Sequence, residues 1–156
     1  MARKQQGGSV AKAILYGGLT AASSDLLAAD LIYHIDLIRV MKSIARGWYG
    51  PEAMKGGADM ALVGLASHYA ILTVAAAIFV LTSLRLPVLR RLWWLAGPVF
   101  GLGIWLVMHY LIVPNSRAGG GFPDWPLSTK ALEELACHLF WVGLAIAWWA
   151  RRILGR

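Results

Sequence analysis

Asp25, His68 and His138 each fall deep inside a long apolar run of this 156-residue chain. Ionisable residues there are costly and usually face a bundle interior or a wet cavity. A carboxylate beside an imidazole holds its tautomer and raises its basicity, which suits a proton relay. The same histidines, on separate segments, could ligate haem iron from both sides. Together with Asp25 or Glu134 they could instead hold Zn²⁺. A shallower tier follows, of Asp30, His109 and Glu134. Glu134 and His138 are four residues apart, as are Asp30 and His34, so each pair shares a helix face. No HExxH spacing is present, so the metal signal is geometric only. No metal or cofactor is predicted, and His68 and His138 are the candidate ligands for one.

These residues must be positioned by membrane helices. The chain is 58% hydrophobic, well above an ordinary soluble domain. Four segments reach the roughly 20 apolar residues that cross a hydrocarbon core, at 12–33, 58–81, 93–113 and 131–150. The expected fold is all-α, a single integral-membrane four-helix bundle spanning residues 1–156. Between the first two spans, YHIDLIRVMKSIARGWYG sets Leu37, Met41, Ile44 and Trp48 on one helical face and Arg39, Lys42 and Arg46 on another. An amphipathic helix is predicted at 36–48. It is either a lipid or partner contact on the membrane surface or, as the plainer reading, a connector packed on the bundle.

At 1.5 Å per residue, Asp25, His68 and His138 lie about 12, 15 and 10 Å below the outer ends of their spans. Asp30, His109 and Glu134 lie about 5–6 Å below. The inner halves hold no ionisable side chain except Lys12 at the edge and the phenol of Tyr16. The faces agree with this depth. Gly18, Ala22, Asp25 and Ala29 form one stripe of span one, and Gly57, Ala61, Gly64, His68 and Ala75 one of span two, where helices can approach closely. In span three, Gly97 and Gly101 make a GxxxG contact, expected inside the bundle, with Pro98 between them.

The net charge of +7 is flanking charge. With both termini inside, Arg3, Lys4, Lys12, Arg85, Arg90, Arg91, Arg151, Arg152 and Arg156 lie on the inner side. Arg39, Lys42, Arg46, Lys55, Arg117 and Lys130 lie outside. The bias favours cytoplasmic termini. RRLWW at 90–94 and WWARR at 148–152 mirror one another, so Arg90, Arg91, Trp93, Trp94, Trp148, Trp149, Arg151 and Arg152 read as headgroup anchors. No soluble basic face exists for nucleic acid; the expected partner is the bilayer, with a homo-oligomer or a membrane partner possible. Cys137 is the single cysteine, which rules out an intrachain disulfide and suits a small packing residue. A cleaved signal over residues 1–22 is the weaker reading, because Gly17-Gly18 breaks its apolar stretch and LLAADLIY resumes it. The loop PNSRAGGGFPDWPLS is irregular, and its glycines lack the Lys-Ser/Thr of a phosphate loop.

The order GGLTAASSD, SIARGWYG, GGADMALVGLASHYA, LRLPVLRR, MHYLIVPNS and HLFWVGLAIA resembles a family of small uncharacterised bacterial inner-membrane proteins, distantly similar to the YagU-like group. The resemblance runs from about residue 14 to 150 on small-residue patterns of low specificity. It implies four helices, an inner-membrane address and recurrent positions at Asp25, His68 and His138. The last helix departs from the pattern, reading LAIA where the family has LPIA, and His109 has no counterpart. The resemblance supplies no activity.

Three functions compete. One is a proton-linked or small-solute site opening outward. The second is a metal- or haem-binding membrane protein. The third is a non-catalytic interaction subunit in which the polar trio only locks the bundle. No reaction is named by the residues, and an enzyme is the less favoured reading.

Overall fold

The computed structural model describes residues 2–119 and 125–155, all of whose regular elements are helical. Residues 120–124, within the glycine-rich loop, lie outside the described residues. The elements are α1 (Ala2–Tyr33), α2 (Leu37–Tyr49), a 3₁₀ turn (Gly50–Lys55), α3 (Ala58–Arg85), α4 (Val88–Arg91), α5 (Trp93–Val107), α6 (Thr129–Cys137) and α7 (Leu144–Leu154). Two π-helical turns complete the chain. Met108–Ile112 extends α5, and His138–Gly143 joins α6 to α7.

Three helical segments are long and apolar enough to cross a membrane: Ala58–Arg85, Trp93–Ile112 and Thr129–Leu154. Helix α1 has 32 residues but is not among them. Its glycines, serines and two aspartates dilute the apolar content that a span requires.

Packing follows side-chain size. Ala13, Ala21, Ala22 and Ala28 of α1 are buried, as are Ala75 and Ala76 of α3 and Ala147 and Ala150 of α7. The large residues Leu15, Leu27 and Leu31 on α1 and Val74, Ile78 and Leu81 on α3 face outward. Small residues inside and leucines outside are the arrangement expected in lipid, where only close packing holds helices together. At Gly18, an added Cβ would come 2.7 Å from Thr73 Cα. Phe79 and Phe100 bring α3 to α5 with ring centres 5.1 Å apart.

Helix α2 begins at Asp36, whose carboxylate accepts the Arg39 N–H at 3.0 Å, one of the orphan donors of a helix start. It packs on α3, and Gly64 lets the Met41 carbonyl approach where any side chain would collide. Val40 and Ala45 are buried in this contact. Leu37 and Trp48, at the two ends of the predicted apolar face, remain exposed.

Gly8, Lys12, Leu84, Arg90, Ile153 and Leu154 all border one cavity, so the start of α1, the α3–α4 turn and the end of α7 share one end of the molecule. Trp93, Trp148, Arg151 and Arg152 border another at that end. Trp94 and Trp148 are well exposed. Arg90 is a correction. It is buried, and its guanidinium donates to the Ser83 carbonyl and, at 3.2 Å, to the Gly155 carbonyl. These are orphan acceptors at the C-terminal ends of α3 and α7, where a cation also meets the negative pole of the helix dipole. Trp149 lies half-buried against the exposed face of α1, donating its indole N–H to Thr20 Oγ1 at 2.9 Å and tilting against Tyr16.

Candidate functional site

The helices bring Asp25, His68 and His138 together at mid-height, away from the Arg-rich end. Asp25 Oδ2 lies 3.7 Å from His68 Nε2, and its Oδ1 lies 3.8 Å from His138 Nδ1. The side chains are 20%, 8% and 13% exposed respectively, so they fill the space between α1, α3 and the π turn of the last segment. The thiol of Cys137 donates to Asp25 Oδ1 at 3.6 Å.

Backbone carbonyls fix both tautomers, because a carbonyl can only accept. His68 Nε2–H donates to Ala22 O at 3.0 Å, and His138 Nδ1–H donates to Glu134 O at 2.9 Å. The nitrogen that each ring turns toward Asp25 thus carries hydrogen. Neither offers Asp25's side of the site a lone pair for a shared metal, and the carboxylate stands between the rings where a haem iron would have to sit. Among the described residues, no three His, Cys, Asp or Glu side chains form a metal-ligand group.

The shallower tier divides. His109 and Glu134 form a pair, with His109 Nε2 3.2 Å from Glu134 Oε2. Tyr33 donates its hydroxyl to Glu134 Oε1 at 2.6 Å. His109 Nδ1–H donates to Trp105 O at 3.0 Å. With Nδ1 committed as a donor, Nε2 either accepts from a protonated Glu134 or donates to its carboxylate as an imidazolium. One proton is shared between the two residues. Asp30 does not join; its carbonyl accepts the His34 N–H at 2.9 Å, closing the last turn of α1. His34 itself adopts a left-handed conformation (φ 53°), as residues just past a helix end often do. The expected Asp30–His34 side-chain pair is therefore not made. The expected Glu134–His138 pair is also changed, since His138 takes the Glu134 carbonyl and the Glu134 carboxylate goes to His109 and Tyr33.

Both histidines lie in the first two residues of a π turn. His138 opens one, and His109 is the second residue of the other. Each ring returns to the carbonyl four residues earlier. Turns of this kind break helix regularity and recur at functional sites. The rings of His109 and His138 meet edge-on with centres 6.4 Å apart, joining the two groups into one polar cluster.

Sequence reasoning missed Tyr33, Trp105 and the link through Cys137. Tyr33 lies eight residues after Asp25 and so continues its stripe. Trp105 lies four before His109 and stacks on it at 4.5 Å. It is 2% exposed, and its indole nitrogen has no hydrogen-bond partner among the described residues.

The chain matches no protein-family model, no curated protein and no solved structure. The site's chemistry carries the functional reading alone.

Proposed function

We propose that this chain is a four-span bacterial inner-membrane protein whose outer half holds a proton-exchange network centred on Asp25. The observation that carries the reading is one carboxylate within 4 Å of imidazoles from two other segments. Each ring hydrogen now rests on a carbonyl. A displacement of about 0.8 Å would bring ring nitrogen and carboxylate to the ~2.9 Å of a hydrogen bond. The Tyr33–Glu134–His109 group lies beside it, nearer the outer surface, as an entry for protons from that side.

The four-span assignment counts α1 as the first span. Its outward leucines and inward alanines support this, as does the return of both chain ends to one side. That side is cytoplasmic by the distribution of Lys and Arg. Within the spans, the ionisable side chains inward of Asp25 and His68 among the described residues are Tyr69, whose hydroxyl meets Ser23 Oγ at 2.8 Å, then Tyr16 and Lys12. The site thus takes up and releases protons on the outer side, and coupling to transport would pass through an oligomer or membrane partner. Filled space between the rings favours a proton over a solute as the species handled.

Proton uptake tests this reading. The full chain in lipid nanodiscs is titrated from about pH 8 to about pH 5, the range over which histidine ordinarily changes charge. Wild type is expected to bind at least about one proton per chain more than an Asp25→Asn, His68→Gln, His138→Gln variant. Equal uptake by folded wild type and variant would leave the cluster as a structural lock.

A further inference from the structure

A groove of about 850 Å³ lies between α2, α3, the end of α5 and the loop that follows it. It shares no side chain with the Asp25 network. Its two walls differ in character. One is apolar, made by Ile71, Leu111 and Ile112, of which Leu111 and Ile112 are well exposed and continue the outward apolar surface of the last turns of that segment. The other carries Arg46 and Arg117, and among the described residues no acidic side chain lines the groove.

Neither guanidinium is fully used. Arg46 donates one N–H, from Nη2, to Ala118 O at 2.8 Å, while its Nε is buried without a partner among the described residues. Arg117 is exposed and, among the described residues, reaches only the Trp48 carbonyl, at 3.4 Å. Arginine's planar fork matches phosphate oxygens, and two such forks beside an apolar wall define an amphiphile with a negative head. Trp48 stands at the mouth, exposed, with its indole N–H held by Ser67 Oγ at 2.9 Å. That is how tryptophan sits at headgroup level.

We propose that this groove binds an anionic phospholipid, with the phosphate between Arg46 and Arg117 and an acyl chain along Ile71, Leu111 and Ile112. A free phosphate would satisfy the arginines but leave the apolar wall bare. A zwitterionic lipid would fill the wall but bring a third positive charge beside the two arginines. The site is independent of the proton network, and either can fail without the other.

Native mass spectrometry of the full chain, released from detergent after incubation with phosphatidylglycerol or phosphatidylcholine of identical chains, tests the assignment. Phosphatidylglycerol is expected to be retained about tenfold more, a difference of roughly 1.4 kcal/mol. An Arg46→Gln, Arg117→Gln variant should retain the two lipids equally. Leu111→Trp, which crowds the wall and keeps both arginines, should also lose the bound phosphatidylglycerol. Arg117→Gln alone, at an exposed position, gives the same test if the double variant does not fold. Equal retention of the two lipids by wild type would overturn the proposal. So would an undiminished preference in Leu111→Trp and Arg117→Gln. Displacement of phosphatidylglycerol by inorganic phosphate alone would make the groove a free-anion site and overturn the lipid assignment.

Discussion

Asp25→Leu should destabilise the protein by about 3 kcal/mol, the upper end of the cost of leaving buried polar groups without their partner. An ordinary interhelical hydrogen bond in a membrane averages about 0.6 kcal/mol, so the two accounts of Asp25 differ by enough to be told apart. The carboxylate accepts from Cys137 and stands beside two imidazoles. Leucine removes the acceptor and the counter-charge together. Asn keeps the shape and an acceptor oxygen, so Asp25→Asn should cost about half as much. In a double-mutant cycle with His68→Gln, the two losses should fail to add by about 1 kcal/mol or more. Unfolding in mild detergent measures all three variants. Additive losses near the hydrogen-bond average would contradict the shared-charge account.

Gly101→Val should prevent the last segment from docking at all. A Cβ on Gly101 would overlap the His138 carbonyl oxygen and sit 2.9 Å from Leu139 Cα. These are backbone atoms of the π turn and cannot rotate away as a side chain can. One turn earlier Gly97 meets the backbone at Gly143 and Leu144, so the GxxxG face is used inside the bundle. Gly101→Ala should already cost about 3 kcal/mol, at the upper end for overpacking, and should displace His138 from Asp25. Gly103, on the same helix, has open space around it. Gly103→Ala should be neutral or stabilising by up to about 1 kcal/mol, since alanine is the better helix former. Thermal unfolding of the pair separates close packing from helix propensity, and equal effects at both positions would remove the docking explanation.

The polar trio was legible because helical periodicity fixes which residues share a face, and because Asp25 and His68 lie on stripes of small residues. Ala22, Ala61 and Gly64 are buried as those stripes require. The partners of Glu134 were not legible from spacing. Four residues of separation predicted His138, but Glu134 lies one turn before a π turn that packs closely against Gly101, a tertiary contact that spacing does not encode. His109 and Tyr33 reach Glu134 from other segments, and no local pattern encodes that approach. Arg90 was misread for a related reason. Arg-Arg-Leu-Trp-Trp has the composition of a headgroup anchor, whereas the Ser83 carbonyl that draws Arg90 inward depends on where α3 ends, and the Gly155 carbonyl reaches it only once α7 has met that end. The apolar exterior was legible in bulk. Helix α1 shows the limit, because the residues that make it chemically interesting also lower its apolar content.

The central claim is that the Asp25 network exchanges protons, and the most direct measurement observes the imidazoles themselves. Solid-state NMR of the chain in lipid bilayers, with ¹⁵N-labelled histidine, reports the protonation of each ring nitrogen as pH falls from about 8 to about 5. The account predicts that proton exchange at the His68 and His138 rings depends on Asp25, so that Asp25→Asn alters the response of both while leaving exposed His34 unchanged. Rings whose response is indifferent to Asp25 would contradict it.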